Sequence, residues 1–278
     1  MPLIQRLRQA LAGSSLEAGL RALRLGRPLL ALHERRQLAQ GRERVRAYGF
    51  QLEFLTRTKS ELTRVDMVGR DERALIERFL ASLRRNDVVY DVGANIGVMS
   101  VLAARQLDRL GGGQVLAIEA NPAIADTTGR NLALNRAATA KTGVVATALG
   151  DTPGEGQLLI AGEGAEGKDR LAGEAAVGPG MIRVPIRRGD DLARETRLYP
   201  TVMKIDVEGA ELAVLRGFTA ALGMRALRDL FIEVHPDLLW AQGDSEDGVV
   251  GRMRELGFRS AWRAPRGTEI HHHFVRTR

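Results

Sequence analysis

The sequence predicts an α/β fold, in which a mainly parallel sheet is covered by helices on both faces. Apolar segments rich in β-branched residues alternate with helical segments from Asp87 onwards, and this alternation is typical of parallel sheets. At 278 residues the chain is long enough for one large domain with an appendage. Its composition, 44% hydrophobic and 27% charged, is that of a globular protein, which excludes a disordered class.

The first 45 residues predict a helical extension. Leucines recur there at three- and four-residue spacing with arginines between them, in L-I-Q-R-L-R-Q-A-L and L-E-A-G-L-R-A-L-R-L. The pattern indicates amphipathic helices, broken near Gly26-Arg27-Pro28. We therefore divide the chain into an extension, 1–45, and a main domain, 46–278. We expect the extension to pack on the main domain or on a second copy, as a homodimer; attachment to an anionic membrane surface is the alternative.

In the main domain, the sequence predicts strands and helices in regular alternation. F-Q-L-E-F-L alternates like a strand, and residues 71–84 favour a helix. Five further strands are predicted at V-V-Y-D-V, Q-V-L-A-I-E, T-G-V-V-A-T-A-L, T-V-M-K-I-D and L-F-I-E-V. Helices are predicted between them at 96–107, 122–135 and 208–217. The segment 151–180, rich in Gly, Glu and Ala, predicts a surface insertion or hairpin, followed by an extended M-I-R-V-P-I-R.

Composition also limits the kind of protein. There is no cysteine, so disulfides and thiolate metal sites are excluded. No run of about 18 apolar residues is present, and the first residues lack the apolar core and cleavage site of a secretory signal. We therefore expect no transmembrane segment and a cytoplasmic location.

The basic charge of the chain raises the question of a nucleic-acid partner. The formal charge is +7 and the pI about 10.4. The only lysines are Lys59, Lys141, Lys168 and Lys204, and the arginines are scattered, which indicates a compositional bias rather than a phosphate-binding face. Aromatic residues, at 4%, are too few for an obvious base-stacking platform. A nucleic-acid partner is therefore not expected.

A glycine-containing loop, D-V-G-A-N-I-G from Asp91 to Gly97, follows the first of the five strands. Glycines there allow a sharp turn and the close approach of a ligand to free N–H groups of the next helix. The dinucleotide fingerprint would need glycine at three positions, but counting from Gly93 this chain has Asn95 and Val98 at the other two. The mismatch weakens a prediction of NAD binding.

An acidic side chain, Glu119, ends the second of these strands, 22 residues after Gly97. At this position in doubly wound folds an acid can accept both hydroxyls of a ribose. The alternative is a solvated glutamate at a strand end. The following Asn121-Pro122 predicts the start of a helix with Asn121 as its cap.

Five segments in order resemble the FkbM family of S-adenosylmethionine-dependent methyltransferases, over roughly residues 70 to 240. They are D-V-V-Y-D-V-G-A-N-I-G, A-I-E-A-N-P, A-L-G-D, K-I-D-V-E-G-A-E and F-I-E-V-H-P. The resemblance implies a class I methyltransferase (Rossmann-like) fold, with a seven-stranded sheet whose final strand is antiparallel. It also implies S-adenosylmethionine as cofactor and a hydroxyl acceptor on a sugar, glycan, polyketide or other small molecule.

The resemblance also implies roles for residues. The methionine part of the cofactor would be lined by Asp91 and by the loop residues Gly93, Ala94, Asn95 and Gly97. Glu119 would hold the ribose, with Asn121 beside it, and the loop that ends at Asp151 would border the adenine. Asp206 would lie beside the transferring methyl group, where its charge would favour a cation.

Glu233 and His235 follow the fifth strand and are expected to face the same crevice as Asp206. One hypothesis makes His235 or Glu233 the general base that removes the acceptor's proton. In a second hypothesis Asp206, Glu233 and His235 bind a divalent cation that lowers the acceptor's pKa. The structural alternative is a strand acid and a histidine that begins a turn before Pro236.

Other polar residues favour structural roles. Glu211 is expected to cap the start of a helix, while Glu208 either does the same or faces the acceptor. His271-His272-His273 departs from the family pattern and is predicted to lie in the last strand, with adventitious metal binding as the alternative.

Two other functions stay open beside O-methylation of a small molecule. One is methylation of nucleic acid or protein, although the N-P-P-Y-type signature of base N-methylation is replaced here by I-D-V-E-G. The other is a non-catalytic domain that binds S-adenosylmethionine or serves as an interaction scaffold.

Overall fold

The computed structural model describes residues 35–68, 72–160, 169–172 and 178–277, and residues 35–40 are helical. The strands are β1 (Arg42–Ala47), β2 (Phe50–Leu55), β3 (Val88–Val92), β4 (Gly113–Glu119), β5 (Ala140–Ala146), β6 (Ala148–Leu149), β7 (Gly154–Leu159), β8 (Arg170–Ala172), β9 (Met181–Arg187), β10 (Val202–Ile205), β11 (Asp229–Val234), β12 (Phe258–Arg266) and β13 (Glu269–Arg276). The helices are α1 (Lys59–Met67), α2 (Arg73–Ser82), α3 (Val98–Arg109), α4 (Pro122–Leu134), α5 (Gly189–Thr196), α6 (Glu211–Gly217), α7 (Thr219–Gly223), α8 (Pro236–Trp240) and α9 (Glu246–Glu255).

A seven-stranded sheet forms the centre of the fold, in the order β12-β13-β11-β10-β3-β4-β5. The five strands from β11 to β5 are parallel, and β13 runs antiparallel to both of its neighbours. The prediction of a mainly parallel seven-stranded sheet with an antiparallel final strand is therefore confirmed. The carboxyl ends of β3, β4, β10 and β11 meet at one edge, where ligands bind in such sheets.

Helices cover both faces of this sheet. Val89 on β3 packs with Phe79 of α2 and Leu102 of α3 in one buried cluster. Its neighbour Tyr90 points to the other face and packs in a second cluster with Leu215 of α6. Because successive side chains of a strand point to opposite faces, a strand buried on both sides is a continuous apolar run.

The β1–β2 hairpin is held against the main sheet through α4. Asn131 Oδ1 accepts the N–H of Leu55, and Asn135 Oδ1 accepts the N–H of Glu53, both at 2.9 Å. The predicted boundary at residue 45 falls inside β1, whose full length pairs with β2. The helices predicted within 1–34 lie outside the described residues, so the division into an extension and a domain, and a homodimer through the extension, stay predictions.

A second, four-stranded sheet, β6-β9-β7-β8, stands beside the main one. The predicted insertion, 151–180, supplies β7 and β8, which pair antiparallel, and the predicted M-I-R-V-P-I-R segment is β9. Leu158 of β7 is buried in a small apolar cluster against which Leu171 of β8 packs. This sheet forms one wall of the cleft described below.

The helix predicted at 208–217 begins later, at Glu211. Glu208 has a φ of +48° and Gly209 a φ of +98°, and neither angle can continue a right-handed helix. Residues 207–210 therefore form a turn after β10. Within the described ranges, no helix combines the length and apolar character needed to cross a membrane.

Candidate active site

The loop between β3 and α3 is shaped by two glycines with positive φ. Gly93 has a φ of +76°, and a Cβ on it would lie 1.8 Å from the carbonyl oxygen of Asp206. Gly97 has a φ of +82°, and a Cβ there would lie 2.7 Å from Cγ2 of Thr128. The N–H groups of Gly93 and Ala94 donate to the carbonyl of Ile118. Glycine is thus required where the ends of β3 and β10 meet.

Glu119 lies buried at the carboxyl end of β4 and joins two loops. Its Oε2 accepts the N–H of Asn95 at 2.8 Å, and its Oε1 accepts the N–H of Asn121 at 2.9 Å. Burial raises the pKa of Glu119, and the two N–H groups oppose that rise. The carboxylate is therefore held rigidly at the cleft.

Asn121 caps α4, as predicted from Asn121-Pro122, because its Oδ1 accepts the N–H of Ala123 at 3.0 Å. Its Nδ2 donates to Asp169 at 2.8 Å, which ties the cap to the residue before β8. Asp151, predicted near the adenine, is exposed and lies outside the cleft lining, whereas Leu149 belongs to it.

The first cleft has an empty volume of about 670 Å³, which includes space open to solvent. Its apolar lining comes mainly from the strand ends, α4 and the second sheet and includes Ile118, Ile124, Leu149, Leu158 and Leu171. Its charged lining is Arg64, Glu119, Asp169, Asp206 and Glu208. The loop contributes Gly93 and Asn95 to the lining, whereas Ala94 and Gly97, which were also predicted to line the cofactor, are not part of it.

A buried lysine, Lys204, joins Asp206, which lines the first cleft, to Asp91, which is buried and does not line it. Its Nζ donates to Asp206 Oδ2 at 2.9 Å and lies 3.8 Å from Asp91 Oδ1. Asp91 Oδ2 accepts the hydroxyl of Ser100 at 2.6 Å. Burial alone would raise the pKa of Asp206, but Lys204, with His235 and Arg64, outweighs it and holds that pKa well below its usual range. Asp206 is therefore ionised.

His235 is held between three carboxylates. Its Nδ1 lies 2.7 Å from Glu211 Oε1, and its Nε2 lies 3.2 Å from Glu208 Oε2 and 3.9 Å from Asp206 Oδ1. Burial opposes the charged imidazolium, but these carboxylates outweigh it and raise the pKa of His235 to about 9. Glu211 also accepts the N–H of Gly209 at 3.0 Å, so it orients both the turn and the histidine.

Glu233 has two further partners. Its Oε1 accepts from Arg266 at 2.9 Å, and its Oε2 lies 3.2 Å from Nε2 of His271. Burial and the charge of Asp206 raise the pKa of Glu233. Ligand atoms of Asp206, Glu233 and His235 lie within 4.8 Å of one another, so the structure brings the three predicted residues together.

These three residues fit a divalent cation poorly. Asp206 is already bonded by Lys204, and Glu233 by Arg266. A metal ion would have to displace both cations, or share the carboxylates with them at the cost of charge repulsion.

The histidine triplet lies in β13, as predicted, and each member faces a different carboxylate. The pairs are His271–Glu233 at 3.2 Å, His272–Glu246 at 2.9 Å and His273–Asp229 at 2.9 Å. Because the three rings contact three different carboxylates, these contacts favour structural roles for the triplet over a shared metal site.

A second cleft, with an empty volume of about 550 Å³, adjoins the first. Its lining is Arg170, Glu208, His235, Asp237, Leu238, Thr268 and Glu269. Glu208 belongs to both clefts. Asp206 of the first cleft and His235 of the second lie on the two sides of this junction, 3.9 Å apart between Oδ1 and Nε2.

Sequence reasoning missed Arg64, Lys204 and Asp169. A signal existed for Lys204, because a lysine inside the apolar strand T-V-M-K-I needs a buried anion. Arg64 belongs to a helix with no motif, and Asp169 to the insertion. Nothing in the sequence points either residue to the cleft.

Comparison with known proteins identifies relatives of the central part of the chain. The family model described as Methyltransferase FkbM domain matches residues 91–260, which include the glycine loop and the ends of β4, β10 and β11. The hexuronic acid methyltransferase AglP of Haloferax volcanii is 27% identical over 188 residues, 67% of this chain and 72% of that protein. Methyltransferase sdnD of Sordaria araneosa is 32% identical over 170 residues, 50% of this chain and 62% of that protein. A crystal structure of methyltransferase FkbM from Methylobacillus flagellatus matches with 17% identity and a TM-score of 0.47, over 70% of this chain and 45% of that one.

Proposed function

Because the chain belongs to the FkbM methyltransferase family, we propose that it is an S-adenosylmethionine-dependent O-methyltransferase. The acceptor would be a hydroxyl group of a sugar, a glycan or another small molecule. The observation that carries this proposal is the meeting of the two clefts at Glu208, with Asp206 and His235 on its two sides. A cofactor and an acceptor in these clefts would face each other across that point.

The first cleft suits S-adenosylmethionine group by group. Glu119 is a buried carboxylate positioned to accept ribose hydroxyls, and Ile124 and Leu149 offer apolar walls for the adenine. Asp206 and Glu208 place negative charge near a sulfonium cation. This cofactor supplies an activated methyl group, so the protein has only to align the acceptor oxygen and remove its proton.

His235 is the group that removes this proton in our proposal. Its Nδ1 lies 2.7 Å from Glu211, and because a carboxylate only accepts, we assign the proton of the neutral ring to Nδ1, which leaves Nε2 free to accept a proton. That atom lies nearest Glu208 and Asp206, and their charges stabilise the imidazolium that forms. With a pKa of about 9, the neutral ring is the minor form at neutral pH, so methyl transfer should accelerate as pH rises.

A base at this junction favours a hydroxyl over a carboxylate as the acceptor. A carboxylate is already ionised at neutral pH and needs no base, whereas a hydroxyl keeps its proton. The second cleft also offers Asp237, Thr268 and Arg170, groups that hydrogen-bond sugar hydroxyls. The name of the Haloferax volcanii relative supports a sugar, since that protein is a hexuronic acid methyltransferase.

The first test is calorimetry with S-adenosylmethionine and S-adenosylhomocysteine. We expect both to bind the folded protein, and the absence of binding by either would overturn the enzyme proposal. Methyl-labelled cofactor is then incubated with neutral sugars, uronic acids, glycans, RNA and protein. We expect label in a sugar product that survives mild alkali, as an ether does. An alkali-labile methyl ester, or label in RNA or protein only, would contradict O-methylation of a hydroxyl.

A His235→Gln variant tests the proton step. We expect severe loss of turnover with nearly unchanged affinity for S-adenosylmethionine, since His235 lines the second cleft and not the first. The control is His272→Gln, whose ring pairs with Glu246 and lines neither cleft. Equal turnover in His235→Gln and in the native protein would remove His235 as the base.

A further inference from the structure

Arg64 brings a positive charge into a cleft whose other charged lining is acidic. It lies on α1, in the part of the chain that precedes every motif of the sequence. Among the described lining residues of the first cleft it is the single cation, beside Glu119, Asp169, Asp206 and Glu208. Asp206 lines the same cleft, and of the acids that favour the charged form of Arg64 it has the largest effect on the pKa of Arg64.

Within the described residues, the guanidinium of Arg64 makes few polar contacts with the protein. Its side chain is 18% exposed, and its ion pair within the described residues is with Glu72, at 3.9 Å between Nη1 and Oε1. That distance is too long for a hydrogen bond. Nε of Arg64 is buried and has no hydrogen-bond partner in the described part of the chain. Within the described residues, the planar five-donor group therefore has donors for which the protein supplies no acceptor at hydrogen-bond distance.

Arg64 also stays charged. Burial opposes the charge, but Asp206, Glu72, Glu233 and Glu208 outweigh burial and raise the pKa of Arg64. A simpler role would be to balance these acids. If Arg64 only balanced the charge of these acids, we would expect direct ion pairs with Asp206 or Glu208. Asp206 instead contacts Lys204, and Glu208 contacts His235.

We infer that Arg64 binds the carboxylate of the methionine part of S-adenosylmethionine, an inference that rests on the proposed function. That cofactor carries one anionic group, and each acidic side chain of the lining would repel it. An arginine binds a carboxylate through two parallel N–H···O bonds, which a point charge cannot reproduce. Arg64 would thus select ligands that keep the carboxylate, and α1 would form part of the cofactor site.

The test compares two ligands that differ only in this group, S-adenosylmethionine and its decarboxylated form. Calorimetry measures both with the native protein, Arg64→Met and Arg64→Lys. We expect Arg64→Met to bind S-adenosylmethionine about 10- to 100-fold more weakly, which is the range of a charge-assisted hydrogen bond. Its affinity for the decarboxylated cofactor should be nearly unchanged, and Arg64→Lys should fall between Arg64→Met and the native protein.

Arg57→Met is the matched control, because Arg57 is exposed just before α1 and lines neither cleft. We expect native affinity for both ligands. Equal losses for both ligands in Arg64→Met, or no loss for either, would overturn the inference while leaving the proposed function standing. If the native protein binds neither ligand, both the inference on Arg64 and the proposed function are overturned.

Discussion

The carboxylate of Glu119 both holds two loops together and lines the first cleft. Its oxygens hold the N–H groups of Asn95 and Asn121, and the same side chain faces the first cleft. Removing the whole side chain would therefore loosen two loops as well as the ligand site. A glutamine keeps the shape but can accept with one oxygen only.

We predict that Glu119→Gln weakens the binding of S-adenosylmethionine by about 2 kcal/mol, through loss of charge-assisted acceptance. Calorimetry measures the change, with exposed Glu155→Gln as the control. Native affinity in Glu119→Gln would show that the ribose does not bind at the end of β4.

The raised pKa of His235 makes stability depend on pH. The ring has a pKa of about 9 in the folded protein against an ordinary value of 6.5. Protonated His235 therefore stabilises the fold fully below about pH 6.5, and this contribution is lost as pH rises through about 9.

We predict that His235→Gln lowers the free energy of unfolding more at pH 7 than at pH 10, by roughly 2–3 kcal/mol. Urea denaturation at the two pH values measures this difference. Burial lowers the pKa of His272, so that ring is neutral at both pH values and His272→Gln should cost the same at each. A pH-independent cost for His235→Gln would contradict the raised pKa.

Side-chain partners were the least predictable part of the site. Asp206, Glu233 and His235 could be grouped in advance because the ends of adjacent parallel strands meet. Glu211 was expected to cap a helix, and its bond to His235 depends on the turn at 207–210. Such a turn, with a positive φ at the non-glycine Glu208, has no clear signature in sequence.

At the level of elements, the close contact of the glycine loop with β10 is the tightest constraint on the site. Gly93→Ala would place a Cβ 1.8 Å from the backbone oxygen of Asp206, in a left-handed conformation that alanine disfavours. We predict a loss of about 3 kcal/mol or more in unfolding free energy, or no folded protein.

Thermal and urea denaturation measure this loss. The control is Gly251→Ala, in the middle of α9, where an added Cβ would meet no atom within 4 Å. That change should stabilise the protein by up to about 1 kcal/mol, through helix propensity. Similar stabilities for both variants would show that β3 and β10 do not meet as described.

Strands and helices with a strong hydrophobic pattern of their own were predicted well. Strands that form only by pairing with residues distant in sequence were not. The strands at V-V-Y-D-V, Q-V-L-A-I-E and L-F-I-E-V could be identified because strands buried on both faces are apolar throughout. The four-stranded sheet could not, since β6 has two residues and β8 three, and both exist through pairing alone.

For the molecule as a whole, the charge balance of the site predicts metal-independent methyl transfer. Lys204 and Arg266 already neutralise Asp206 and Glu233. We predict unchanged turnover in protein shown by elemental analysis to be metal-free, with a chelator present and without it. Turnover that vanishes on chelation and returns with Mg²⁺ would mean that a cation displaces these side chains.

The overall architecture could be predicted from the sequence because alternating strands and helices are compatible with few sheet topologies. The composition of the first cleft was less readable, because it gathers α1, the strand ends and the second sheet. Arg64 and Leu171 lie 107 residues apart in sequence and line the same cleft. Only tertiary packing brings them together.

The position of β13 has a consequence for biosynthesis. It is translated after every other described strand, yet it is inserted between β11 and β12 in the interior of the sheet. It also carries His271 to Glu233, whose other partner, Arg266, ends β12. On the ribosome, β12 must therefore wait without a neighbour until β13 emerges. A nascent chain can form the core of β10, β3 and β4 early, but the second cleft, which Thr268 and Glu269 line, is complete only after β13 has been made.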